Sequence, residues 1–517
     1  MNYFITGTVD YWTSAIEISE MQRLKIFDQL KQPSCIVEMQ YNYDRAKVIK
    51  NFHLQDRLIN LYQYYQQLPF TKKNDNDKLR ERFLRYDGYG KDETIKLTKS
   101  QLIINNQKRI NVLYNEDSKR ISYFEYFDKY GRPTHTVHID EGCLSYTDYF
   151  DDNGHKLVRT YYNAIEQPTI NIYYHWNAQS KKSAIFSCEL ITPDGVSHVF
   201  DRVEDFRAYF LDDLIANDSY PVLYADRSDI ALEAFEKMQH WAPRFQMFHA
   251  SYTFSGKPVP VDDLDKVELY EHIPGMYKRG EINGIISSTK KEAKLAGQYY
   301  HAHSYALPVY ATDIDTINHP VPFSHRKKDQ IIAVARIDNV KQLDHIVSAV
   351  IQLKQRHPKI DLKIYGYESE ENDYEAPKLL KKIIKKHHAE NYIHLCKYQQ
   401  SLKDVYQTAQ LEILTSKTEG FAIALMEAQE YGCPVISYDI NYGPSEIIQN
   451  HKSGILIKPN DKKALIRNMD YLLSHQDALA NYSKNAPQAV KKYTINHLAR
   501  RWKRFLKKEN IYLNPDA

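Results

Sequence analysis

The sequence predicts an α/β protein of two parallel-sheet domains facing a cleft, the first of them interrupted by an antiparallel β-meander. Three observations carry this. From Gln330 onward short apolar runs alternate with helical patterns, beginning IIAVARI, VKQLDHIVSAVIQL and DLKIYGY, which is the pattern of a parallel sheet covered by helices on both faces. The chain opens in the same way. Between about Asn76 and Glu204 the alternation stops and strand follows strand, with YFEYFDKYG from Tyr123 and YTDYFDDNG from Tyr146 repeating at a spacing of 23.

At 517 residues the chain is too long for one core and divides into domains. The first part of the N-terminal Rossmann-like domain is expected over 1–75. Strand NYFITG leads into a helix whose apolar residues Ile16, Ile18, Met21, Leu24 and Phe27 fit a 3.6-residue period imperfectly, and strand SCIVEMQ follows. The insertion takes 76–204. Its aromatic alternation ends each time at Asp-x-x-Gly, a strand running into a tight turn. The first domain resumes over 205–316 with helix FRAYFLDDLIA, strands PVLYAD, RFQMFHA and NGIISS, and a helix opened by the capping-box spacing of Thr289 and Glu292. Pro308, Pro320 and Pro322 suit a linker. The second Rossmann-like domain occupies 317–490. A basic amphipathic helix, 491–517, closes the chain, with Thr494 as its cap and Leu498, Trp502 and Phe505 packing against a domain.

Composition narrows the function classes. Sixty-nine Lys and Arg against 66 Asp and Glu give a net charge of +3, too small to argue for nucleic acid. The five cysteines, Cys35, Cys143, Cys188, Cys396 and Cys433, show no CxxC spacing, so neither a disulfide framework nor a zinc site is indicated. No 18-residue apolar run or signal-peptide pattern occurs, and a cytoplasmic protein with at most peripheral membrane contact is expected. Seventeen Gly against 42 Tyr is an unusual balance: a phosphate site here must manage with few glycines.

The segment EGFAIALMEAQEYG sets Glu419 and Glu427 eight residues apart across a helix start. A retaining double displacement needs carboxyl groups about 5 Å apart, whereas eight helical residues rise about 12 Å. The spacing suits instead an extended ligand, with one carboxylate accepting hydroxyl hydrogen bonds at each end. Gly420 permits close backbone approach, and the amides of Phe421 and Ala422 lie at the positive end of a helix, where phosphate binds. In ARIDNVKQL, Arg336 closes the first strand of the second domain and Lys341 opens the next helix, so both belong at the carboxyl edge of the sheet. Two cations there neutralise a diphosphate leaving group without a metal. Asp313-Ile314-Asp315 has the D-x-D form of a metal site but falls in the linker, and His301-Ala302-His303 lacks further ligands; neither is assigned a metal, and no cofactor is expected.

These residues, AR-x4-K, Gly366 in GY, EGFAIALMEA and GCPVISYDINYGPSEII, resemble the retaining GT-B glycosyltransferases of the large family four over about 180 residues. The resemblance implies that Arg336 and Lys341 hold a donor pyrophosphate, Glu427 the ribose hydroxyls and Glu419 the donor sugar, with Lys397 and Tyr398 flanking the base. His249 matches the histidine that faces the donor sugar. The early segment DYWTSAIEISEMQRLKIF and the insertion are similar to bacterial enzymes that add N-acetylglucosamine to serine-rich or serine-aspartate-repeat adhesins, and to the related wall teichoic acid glycosyltransferases. Ser14 and Ala15 stand where those families usually carry a glycine, with Ile16 next in the donor loop. By resemblance the donor is UDP-GlcNAc, the acceptor a repeat-rich adhesin, and the meander a surface for acceptor, partner subunit or second copy. Teichoic acid as acceptor, and a non-catalytic partner role, are the alternatives.

Overall fold

The computed structural model describes residues 1–69, 75–85, 95–115 and 119–511. Parts of the expected insertion (86–94, 116–118), five residues before it (70–74) and the end of the C-terminal segment (512–517) lie outside the described residues.

Three sheets organise the chain. The first is parallel and seven-stranded. Asn2–Thr6 lies beside Ser34–Glu38 on one side and Val222–Ala225 on the other. The strands that follow Asn2–Thr6 build one way, and those from Val222 onward build the other. The second parallel sheet, six-stranded, repeats this plan: Gln330–Val334 lies between Asp361–Tyr365 and Leu411–Leu414. In such sheets the crevice at the point of reversal, outside the carboxyl ends of the strands, receives the ligand.

Ten antiparallel strands from Ile95–Leu97 to Ser197–Phe200 form a meander in strict sequence order. Its repeat has a local cause. The Gly131 amide donates to the Asp128 carbonyl, and the Asp128 carboxylate accepts from the amides of Tyr130 and Arg132. Asp151 does the same for Gly154, Asn153 and His155. Each aspartate satisfies the turn amides that the ladder leaves open. The meander shares a core with the first domain: Tyr41 and Tyr62 pack among Tyr146, Tyr161 and Phe206. Tyrosine suits this joint, where rings fill volume and hydroxyls find partners, as Tyr41 does on Ser145 and Asp140.

Three local expectations are corrected. The helix Ala15–Gln29 does form, but its deepest face carries Glu17, Glu20, Arg23, Leu24 and Phe27, while Ile16, Ile18 and Met21 are only half-buried. The stripe keeps the helical period with charges inside it, which is why the apolar pattern fits poorly. Thr289 caps its helix by accepting from the Glu292 amide, but the Glu292 carboxyl is buried without a partner among the described residues, so only half of the capping box exists. Thr494 precedes the last helix, Ile495–Lys508, but its hydroxyl contacts the His497 ring at 2.7 Å and caps no amide. That helix crosses back onto the first domain. Trp502 packs against Phe27 at 5.1 Å between centroids and Phe505 against Phe245 at 4.9 Å.

Candidate active site

The second-domain half begins where Gln330–Val334 ends. Asp338 is fully buried and accepts from Arg336 Nε at 2.5 Å and from the Lys341 backbone N–H at 3.0 Å. One carboxylate thereby fixes both cations of the loop relative to each other. Gly366, at φ 155°, lies beneath them, and a Cβ there would sit 2.0 Å from the Ala335 carbonyl oxygen. Only glycine lets the two loops approach so closely.

Lys341 Nζ lies 2.6 Å from Glu419 Oε1, and the Ser416 hydroxyl donates to the same oxygen at 2.7 Å. Both charged side chains are mostly buried. The Glu419 loop is pinned on its backbone as well, its N–H donating to the Asn441 carbonyl and its own carbonyl accepting from the Tyr442 N–H. The ammonium has three donors, so one bond to Glu419 leaves two for a phosphate. Glu427 stands on the helix Ile423–Glu430 beyond this loop. Tyr406 donates to its Oε2 at 2.9 Å. Burial pushes its pKa up to about 7 against that bond, with Glu430 adding to the rise. Beneath it Glu412 is buried with neither carboxylate oxygen bonded among the described residues, and burial followed by the charge of Glu427 raises its pKa well above the usual range.

The first-domain half is His249, immediately past the strand Arg244–Phe248. Its Nε2 lies 2.7 Å from Asp226 Oδ1, and Arg23 Nη2 reaches the same oxygen at 2.5 Å. Burial raises the pKa of Asp226, but Arg23 and His249 outweigh it and hold the carboxylate below its ordinary value. An ionised Asp226 orients the imidazole with Nε2 as donor. The two halves meet at Gly420, where a Cβ would lie 2.2 Å from the His249 carbonyl oxygen. The Asn441 side chain adds a second crossing, donating to the Gly256 carbonyl at 2.9 Å.

The remaining expected residues divide. Tyr398 reaches across to the first domain, its hydroxyl 3.0 Å from Thr13 Oγ1 and its ring edge-on to Trp12; Lys397 beside it is exposed. Ser14 accepts from the Ile16 amide and, with Glu17, completes a capping box. The residue that replaces a glycine is thus the cap of its helix, and Ala15 remains exposed at the helix start. Phe421 and Ala422 are buried and precede the helix, with Ala422 in a left-handed turn at φ 67°; the first helical amides are those of Ile423 and Ala424. Asp313 caps the short helix Ile314–Asn318 and donates its amide to Glu430, so the D-x-D motif serves the linker. No group of three metal-ligating side chains occurs among the described residues.

Residues 315–489 match the family model for glycosyl transferases group 1. A UDP-N-acetylglucosamine--peptide N-acetylglucosaminyltransferase GtfA subunit from Streptococcus parasanguinis is 23% identical over 526 residues, covering 98% of each chain. A poly(ribitol-phosphate) alpha-N-acetylglucosaminyltransferase from Staphylococcus aureus (strain COL) is 21% identical over 521 residues, 97% of this chain and 98% of its own. The chain is a glycosyltransferase that carries a group 1 domain over residues 315–489. Among solved structures, a chain of a GtfA/B complex superposes with a TM-score of 0.75 at 21% identity, covering 98% of this chain and 99% of its own. The fold is GT-B, and the resemblance drawn from EGFAIALMEA holds at the level of family and of a retaining hexosyltransferase class. No described helix is long and apolar enough to cross a membrane.

The sequence did not point to Asp338, Asp226, Arg23 or Tyr406. Asp226 had a signal, an acidic residue closing PVLYAD at the edge where ligands bind. Arg23 had none, since its partner lies 203 residues away.

Proposed function

We propose that this enzyme transfers N-acetylglucosamine from UDP-GlcNAc, with retention, to serine hydroxyls of a repeat-rich cell-surface protein. The observation that carries the reading is the Lys341–Glu419 ion pair, set at the reversal point of the second sheet and closed over by His249 through Gly420. In this arrangement Glu427 accepts from the ribose hydroxyls, Arg336 and Lys341 hold the diphosphate over the start of the helix Ile423–Glu430, and Glu419 accepts from the sugar. Lys397 and Tyr398 flank the base, and the loop at Ser14, Ala15 and Ile16 closes over the donor from the other side. Departure of UDP builds charge on the β-phosphate, which the two cations and the helix amides stabilise. That phosphate accepts the proton of the serine hydroxyl on the same face, and no enzyme nucleophile is needed. His249, oriented by Asp226, lies against the sugar. Residues around the meander take the acceptor or a partner subunit, a reading supported by the word subunit in the name of the streptococcal relative and by the GtfA/B complex among the similar structures.

A second reading keeps the donor chemistry and exchanges the acceptor for a polyol phosphate. It is favoured by the equally complete alignment with the ribitol-phosphate enzyme. Incubating the purified chain with labelled UDP-GlcNAc and, separately, a serine-rich repeat peptide and a polyol-phosphate polymer separates the two. Label on the peptide supports the proposal, and label on the polymer alone replaces it with the second reading. Label on neither, with no UDP binding by calorimetry, refutes both.

A further inference from the structure

Where the last helix crosses back onto the first domain, a pocket of about 500 Å³ opens on the surface. Its wall gathers Lys290, Lys492, Arg500, Arg501, Arg504 and Lys508, with His497 at the side, and its floor is Tyr305, Leu307 and Phe505. No carboxylate lines it. In a chain whose net charge is only +3, six cations around one concavity are a concentrated charge. None of the six is ion-paired with a carboxylate among the described residues. Two acids lie close by: the Glu446 carboxylate accepts the Lys291 amide and acts on Lys492 through its charge, and Glu509 accepts from the hydroxyl of Tyr305 in the floor.

Apolar packing, rather than this charge, anchors the helix. Its inner face is satisfied by Leu498, Trp502, Phe505 and Leu506, all buried. Arg500, Arg504 and Lys508 follow one another at helical i, i+4 spacing on the outer face, where like charges destabilise an isolated helix. Lys290 comes from another element, the start of the helix Lys290–Tyr299, and Lys492 from the turn Lys491–Tyr493, where its ammonium also reaches the Glu446 carbonyl. A multivalent anion would relieve this repulsion by meeting several of the cations at once. Arginine forks match phosphate oxygens in pairs, and the volume is that of a small-molecule site.

We propose that this pocket is a binding site for a phosphate-rich anion, its phosphates held by the six cations and its body resting on Tyr305 and Phe505. The same chemistry is offered by a soluble polyphosphorylated metabolite and by an anionic lipid headgroup. The site lies outside the residues assigned to donor binding and does not depend on that assignment.

The test uses the full chain with two probes, sodium tripolyphosphate by calorimetry and phosphatidylglycerol vesicles by co-sedimentation, against phosphatidylcholine vesicles. The variant is Arg500→Ser with Arg504→Ser, both exposed, with Lys385→Ser and Lys386→Ser on the exposed end of the helix Glu371–Lys386 as the charge-matched control. Binding to either probe should weaken by roughly tenfold or more in the arginine variant, remain in the control, and decline with added salt. Tripolyphosphate alone identifies a soluble ligand, and vesicles alone a headgroup. No binding of either probe by the unaltered chain, or equal loss in variant and control, overturns the proposal. Thermal melting of the variant separates loss of the site from loss of the fold.

Discussion

Gly420→Ala is the sharpest perturbation of the closed cleft. The added Cβ would lie 2.2 Å from the His249 carbonyl oxygen, 2.6 Å from its carbon and 3.0 Å from the Ala250 amide nitrogen. All three are backbone, so no side chain can swing aside; the overlap with the carbonyl is about 1.3 Å against an ordinary contact of ~3.5 Å. Gly420 is not among the residues with positive φ, so an alanine suits its backbone and the cost falls on the contact between domains. Overpacking of this kind costs about 1–3 kcal/mol, which reduces the closed arrangement by roughly 5- to 150-fold. UDP is proposed to bind on the second domain, so calorimetry should find its affinity within about threefold of the unaltered chain, equivalent to ~0.7 kcal/mol. Sugar transfer, which needs both halves, should fall by about tenfold or more in kcat/KM. Unchanged transfer with unchanged stability would refute the idea that His249 and the Glu419 loop act in contact.

Other expectations follow from the same geometry. Lys341→Ala should cut transfer by about 10²–10³ through lost stabilisation of the leaving phosphate, and Glu419→Gln should also reduce it severely with folding intact by circular dichroism; transfer at full rate in either removes that residue from the mechanism. Glu427, with its pKa pushed up to about 7, accepts ribose hydroxyls best when ionised, so UDP affinity should rise as pH increases through 7, and Glu427→Gln should flatten whatever part of that rise the nucleotide itself does not cause. A pH dependence identical in the variant would contradict the assignment. Glu412 is an acid with a raised folded pKa: the folded state keeps its proton after the unfolded state releases it above about 4.5, so its contribution to stability is lost as pH rises. Glu412→Met should therefore raise Tm, and by more at pH 8 than at pH 5; a lower Tm at both would show that the carboxyl is well satisfied.

The alternation of strands and helices was legible because each parallel strand is a short apolar run bounded by turns, and the meander because its Asp-x-x-Gly turns are made from adjacent residues. Glu419, Arg336 and Lys341 were legible as a group because each follows a strand of one sheet. Hidden were the features made by distant partners. Arg23, Asp226 and His249 form one buried network from three separate stretches, and the charged face of the helix Ala15–Gln29 is intelligible only once Arg227 stands 2.8 Å from Glu17. The local order of ARIDNVKQL showed two cations but not that Asp338 ties them together. The last helix read as basic and amphipathic, yet nothing in its sequence says that Trp502 rests on Phe27 of the first domain.

The central claim, that the Lys341–Glu419 site moves a sugar from a nucleotide with retention, is tested most directly by the anomeric configuration of the product. The purified chain, given UDP-GlcNAc and an acceptor, should form an α-linked N-acetylglucosamine by NMR, with the product lost in Lys341→Ala. A β-linked product, or an α-linked one made equally well by that variant, would contradict the account.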